Sequence, residues 1–173
     1  MITIISATNR PHSNTLKIAK NYALLMEKHG VTPKLLSLES LPENIAFTDL
    51  YGKRSPDFDK IVVEYIASAQ KFVFISPEYN GSFPGILKVF LDAIPPDLNR
   101  NKKAGLIGIS TGRAGNLRGM DHLTSILHYL GLHVHPMKQP ISNVLHLMDE
   151  HGKLKDEYTI KILEKQIEEF LKW

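Results

Sequence analysis

Short apolar runs alternate with amphipathic segments along this chain, and that alternation leaves few folds open. Residues 2–6 (Ile2-Thr3-Ile4-Ile5-Ser6) read as a buried strand. Residues 15–29 carry Leu16, Ala19, Tyr22, Ala23 and Met26 at helical spacing, and Gly30 stands where a helix-ending glycine belongs. A second strand spans 33–38. A helix from Pro56 to Ala69 follows, with Ser55 as its N-cap and Pro56 at its first position. Strands at 71–75, 104–110 and 132–135 and helices at 84–94, 119–130 and 156–171 complete the series. Strands interleaved with helices in this way specify an α/β protein whose sheet is mostly parallel and covered on both faces. The connections 39–54 and 137–155 exceed ordinary loop length, which points to function or an interface.

Composition narrows the classes. A chain of 173 residues, 43% hydrophobic and 23% charged, suits one globular domain over 1–173. No apolar run reaches membrane-spanning length, and no signal-peptide pattern precedes the first strand. The absence of cysteine excludes disulfides, thiolate catalysis and Cys-ligated metal, and fits a cytoplasmic protein. Net charge is +3 and scattered. The densest basic run, Arg100-Asn101-Lys102-Lys103, is too short for a nucleic-acid stripe.

In an open doubly wound sheet, ligands bind beyond the carboxyl ends of the strands, where strand order reverses. Three loops therefore matter. After the first strand, Thr8, Asn9, Arg10, Ser13, Asn14 and Thr15 offer hydroxyls, amides and a guanidinium before a helix N-terminus, which favours an anion. After the third strand stands Pro77-Glu78-Tyr79-Asn80-Gly81-Ser82. Helix capping accounts for Ser82 and Pro84 but leaves Glu78, Tyr79 and Asn80 unexplained. Backbone groups at such a turn can face a planar ring, and Tyr79 can cover one. After the fourth strand, Ser110 to Gly119 holds three glycines that permit close backbone approach, with Arg113 and Arg118 adding charge.

Other fingerprints are missing. There is no G-x-G-x-x-G after the first strand, no G-x-x-x-x-G-K-[ST], no clustered carboxylates at its end and no nucleophile elbow. His133 and His135 share one strand face but lack a nearby acid, so no metal site is expected.

Together the three loops resemble the NADPH-dependent FMN reductase family, whose relatives include quinone, chromate and azo reductases. Arg10 and Ser13 match its first motif, with Thr8 in place of serine, Thr15 in the asparagine place and Ala7 for the usual glycine. Pro77, Glu78, Tyr79, Asn80, Ser82, Pro84, Leu87, Lys88 and Asp92 match every named position of the P-E-Y-N-x-S-x-P-x-x-L-K-x-x-x-D motif. Ser110 and Gly112 match the S-x-G loop, and Asp149 to Leu154 the D-E-x-G-K-L turn.

The resemblance implies a flavodoxin-like three-layer sandwich with a five-stranded parallel sheet in the order 2-1-3-4-5. It implies an FMN phosphate held by Thr8, Arg10, Ser13, Asn14 and Thr15. Pro77, Glu78, Tyr79, Asn80, Gly81 and Ser82 would frame the flavin ring, with Thr111, Gly112, Arg113 and Gly115 on its other side. Electrons would pass as hydride from NADPH to FMN and on to a quinone, azo, metal-oxyanion or flavin acceptor, with no side-chain acid or base required. Arg113 or Arg118 would meet the 2′-phosphate of NADPH. A homodimer or homotetramer is implied, with the 39–54 loop and the helix after Pro84 at the contact, and Phe47, Tyr51 and Tyr79 walling the acceptor site. Two other readings fit the same loops: a flavodoxin-type electron carrier, and a flavin-binding regulatory module without NADPH turnover. Such carriers are usually strongly acidic, whereas this chain is basic.

Overall fold

The computed structural model describes residues 1–173, and the apolar runs become one parallel sheet. Strand β1 (Ile2–Ser6) lies between β2 (Lys34–Ser37) and β3 (Lys71–Pro77), and β4 (Lys103–Ile109) follows β3. The order is β2-β1-β3-β4-β5, as the resemblance implies, so the chain reverses direction across the sheet between β1 and β3. The position beyond β4 is divided. Strand β5 (His133–Val134) pairs with Lys103 and Ala104, and β6 (Gln139–Ile141) pairs with Ile107 to Ile109. The expected fifth strand over 132–135 is therefore only half of that position, and the connection 137–155 supplies the rest. Pro140 lacks an N–H, which an edge strand tolerates.

Helix α1 (Asn14–Lys28) begins at Ser13, and a short helix α2 (Ile45–Thr48) lies within the long 39–54 connection. Helix α3 (Pro56–Ile61) begins at Ser55 with Pro56 in its first turn, and continues as a π-helical turn, Val62–Ala67. Helices α4 (Gly85–Ala93), α5 (Leu117–Tyr129) and α6 (Glu157–Lys172) complete the layers. Along α1 the buried stripe is Thr15, Ile18, Ala19, Tyr22, Leu25 and Met26, so Leu16 and Ala23 sit at its margin.

The sheet's two faces make two cores. Ile5, Phe72, Phe74 and Leu106 pack under α3, α4 and α5, where Phe58 meets Phe90 edge-to-face at 6.2 Å between ring centroids. Ile4, Val73, Ile75 and Ile107 pack under α1 and α6 against Tyr22, Met26, Leu163 and Ile167. Burying each such side chain contributes about 1.5–3 kcal/mol. This three-layer packing leaves the C-terminal ends of β1, β3 and β4 at one edge.

The opposite edge takes up two lysines. The Lys71 Nζ donates to the carbonyls of Phe170 and Leu171 at the end of α6, and the Lys102 Nζ donates to Ile66 at the end of the π turn, at 2.7 Å. Cations at helix C-termini complement the exposed carbonyls and the dipole. Burial pushes the pKa of both ammonium groups down. Lys102, within the densest basic run of the sequence, therefore serves the fold.

Candidate functional site

The site begins where β1 ends. Ser13 is in extended conformation and its Oγ accepts from the Leu16 N–H at 3.1 Å, starting α1. The four preceding backbone N–H groups, His12 through Thr15, have no partner within the protein. No acid occupies the first turn of α1. Arg10 is exposed beside this row and forms no ion pair. Unpaired donors, the positive end of a helix dipole and a free guanidinium form an anion cradle.

The second wall is an extension of the sheet. Pro77 stays in register with Ile109, and the Glu78 N–H donates to the Ile109 carbonyl at 2.9 Å. Tyr79 and Ser82 then exchange two backbone hydrogen bonds, at 2.9 and 3.1 Å, around Asn80 (φ +52°) and Gly81 (φ +76°). Two central residues with positive φ are what Asn-Gly supplies in a tight turn, so backbone geometry accounts for this pair. The N-cap of α4 is Pro84, not Ser82, whose Oγ lies 3.0 Å from the His122 Nδ1. Pro84 provides the extended conformation that a cap needs, which frees Ser82. Glu78 is held near Arg118, Oε1 to Nη2 3.4 Å.

The third loop is braced from behind. The Ser110 Oγ accepts from the Gly115 N–H and donates to the Gly112 carbonyl. The segment after β6 supports it, with the Ser142 hydroxyl donating to the Arg113 carbonyl and the Asn143 N–H to that of Gly112. Gly115 is demanded by the protein itself: its φ is +57°, and a Cβ there would lie 2.6 Å from that of Pro140. Gly112 by contrast has open space around it.

These walls enclose a cleft of about 610 Å³, a volume within the usual small-molecule range. Arg10, Ser13, Asn14, Thr15, Pro77, Glu78, Tyr79 and Thr111 line it, as do Pro11, His12, Ile109, Ser110, Val144 and Leu145. Thr8 is buried behind the lining and meets the Tyr79 hydroxyl at 3.0 Å. Asn80, Gly81, Ser82, Gly112, Arg113 and Gly115 stand outside the lining. Sequence reasoning missed Val144 and Leu145, an apolar pair whose signal was its place in the long 137–155 connection. No group of three or more His, Asp or Glu side chains is arranged to hold a metal ion. His135 is buried edge-on to Phe170, while His133 is exposed.

The residues fit FMN. The unpartnered N–H row beside Arg10 suits its phosphate, and the apolar surfaces of Pro77, Tyr79, Ile109, Val144 and Leu145 suit a planar ring.

A parallel sheet in this order, with an anion cradle after β1 and a cleft where the order reverses, defines an α/β protein of the flavodoxin-like class. The chain belongs to the NADPH-dependent FMN reductase family, whose model matches residues 1–145. An NAD(P)H-dependent FMN reductase of Pseudomonas aeruginosa is 31% identical over 164 residues, covering 88% of this chain and 86% of that one. A 2-hydroxy-1,4-benzoquinone reductase of a Burkholderia species is 28% identical over 130 residues, covering 71% and 70%. In fold, the chain is similar to a flavoenzyme NAD(P)H:acceptor oxidoreductase of Paracoccus denitrificans, with a TM-score of 0.79 at 23% identity over 99% of this chain and 95% of that one.

Proposed function

We propose that this chain is an FMN-dependent NAD(P)H oxidoreductase, acting as one domain over residues 1–173, that reduces a small-molecule acceptor such as a quinone. The observation that carries the reading is the row of unpartnered N–H groups from His12 to Thr15, beside Arg10 and at the foot of the Pro77–Tyr79 wall. Bound FMN would supply the redox chemistry, taking hydride from NAD(P)H and passing it to the acceptor.

The chain's own residues bind and orient. Arg10, Ser13, Asn14 and Thr15 hold the phosphate by charge and N–H donation. Thr8 acts one step back, by fixing Tyr79. Pro77, Tyr79, Thr111 and Leu145, which line the cleft, would hold the ring. Arg118 pairs loosely with Glu78 at the rim, which would offset that carboxylate charge beside bound FMN. No side chain is assigned as acid or base. Arg113 and Arg118 remain the candidates for the 2′-phosphate of NADPH. Azo compounds, metal oxyanions and free flavin are the other acceptors this reading admits.

The assembly we propose is a homodimer, or a homotetramer built from it, in the cytoplasm. Phe47 and Tyr51 support this: two aromatic side chains on the same connection are 91% and 97% exposed. No helix is long and apolar enough to cross a membrane. Light scattering that finds only monomer at micromolar concentration overturns the dimer.

The test of function is direct. Purified protein should be yellow or load with FMN, release FMN on denaturation, and consume NADPH steadily with a quinone. FMN binding without turnover would instead favour an electron carrier or a sensing module. The net charge of +3 already weighs against a carrier, which docks through acidic surface.

A further inference from the structure

Asn116 occupies an unusual place. It is 0% exposed and left-handed (φ +61°), and it precedes α5 at the N-cap position without capping it. Its Nδ2 reaches instead across to the ring wall, donating to the carbonyls of Ser76 (2.9 Å) and Pro77 (3.0 Å). Its Oδ1 is buried with no partner. Neighbouring backbone is cleared for it: a Cβ on Gly119 would lie 2.0 Å from that Oδ1, and one on Gly108 would lie 3.0 Å from the Asn116 Cβ. An N-cap left unused, a left-handed backbone and an orphaned buried acceptor all cost stability. Such a combination persists where the geometry it enforces is needed.

We propose that Asn116 is a positioning residue that sets the orientation of the ring wall of the cleft, an inference that rests on the FMN reading above. The Pro77–Glu78 peptide is gripped at both ends: its carbonyl accepts from Asn116, and its N–H donates to Ile109. The plane of that peptide is thereby fixed where the wall leaves the sheet. Three further contacts from the start of α5 reach the same wall. Arg118 meets Glu78, His122 meets Ser82, and Gly119 lies so close to Ser82 that a Cβ would be 2.8 Å from its carbonyl carbon. Asn116 is the only one of the four that is buried and bonded to wall backbone through its side chain. It touches no ligand itself, and acts through Pro77.

Two variants separate this from a merely structural role. Asn116→Gly keeps the left-handed backbone and deletes the amide. Asn116→Asp keeps the shape but replaces the donor with an acceptor. FMN titration and the visible circular dichroism of the bound flavin are read for each, beside wild type and Arg10→Ala. Loss of the two donations should weaken FMN binding by about tenfold. It should also change the dichroism of the ring bands, whereas Arg10→Ala weakens binding and leaves the bands unchanged. Folded variants that bind FMN within about twofold of wild type, with the same dichroism, overturn the assignment. Failure of both variants to fold overturns it too, because Asn116 is then a folding residue. If wild type itself binds no FMN, the functional reading fails first.

Discussion

The Tyr79 hydroxyl and the Thr8 Oγ1 are 3.0 Å apart, joining the loop after β3 to the loop after β1. The same Oγ1 accepts from the Arg10 N–H at 3.2 Å, so one buried threonine ties the loop after β3 to the anion cradle after β1. Tyr79→Phe deletes the link and keeps the ring. A neutral hydrogen bond contributes about 0.5–1.5 kcal/mol, so FMN affinity should fall roughly 2- to 13-fold. Flavin titration of the apo protein measures it, and unchanged affinity would show that the two loops are placed independently.

Arg10→Ala should weaken FMN binding roughly 10- to 150-fold, the equivalent of about 1.5–3 kcal/mol for a charge-assisted bond. The apo protein should melt at the wild-type temperature, because Arg10 is exposed and unpaired. A drop in melting temperature with no loss of affinity would reverse both expectations.

Anions should compete selectively. Inorganic phosphate or sulfate should lower the apparent affinity for FMN by occupying the N–H row, and should leave riboflavin, which lacks the phosphate, unaffected. Equal competition against both flavins would place the anion elsewhere.

Sequence pattern had already exposed much of this. Ser55-Pro56 announced a helix start by local chemistry alone, and it holds. The strands under two helical layers were legible because burial on both faces writes a continuous apolar run. Strand β6 was not, because three residues containing Pro140 carry neither alternation nor an apolar run. The π turn at Val62–Ala67 was hidden as well, since one widened turn barely disturbs helical spacing. In the site, the lining residues Arg10, Ser13 to Thr15 and Pro77 to Tyr79 were legible as surplus chemistry at strand ends. Asn116 was not: a polar residue after Gly115 reads as an ordinary loop, and its partners are about 40 positions away.

Acid should loosen the 39–54 connection. Asp49 is 1% exposed; its Oδ1 accepts from the Ser55 N–H, and its Oδ2 from the Thr48 hydroxyl at 2.6 Å. Burial alone would raise its pKa, but these hydrogen bonds outweigh burial and hold it below the ordinary 3.8. A depressed carboxyl contributes stability that is present above the unfolded value and is lost as pH falls through the folded one. The melting-temperature gap between wild type and Asp49→Ala should therefore be full at neutral pH and close progressively below about pH 4. A gap that stays constant into acid would mean that the carboxylate charge plays no part.

The divided edge beyond β4 has a consequence for the protein as a solute. An uninterrupted outer strand would offer a long row of free N–H and C=O groups to the edge of another molecule, the usual seed of sheet-to-sheet aggregation. Here the outer position comes in pieces of two and three residues, offset by His135 to Lys138, and the longer piece lacks a donor at Pro140. A foreign strand would find no continuous register there. The divided edge, whose following segment braces the third loop of the cleft, therefore disfavours stacking of molecules along that border.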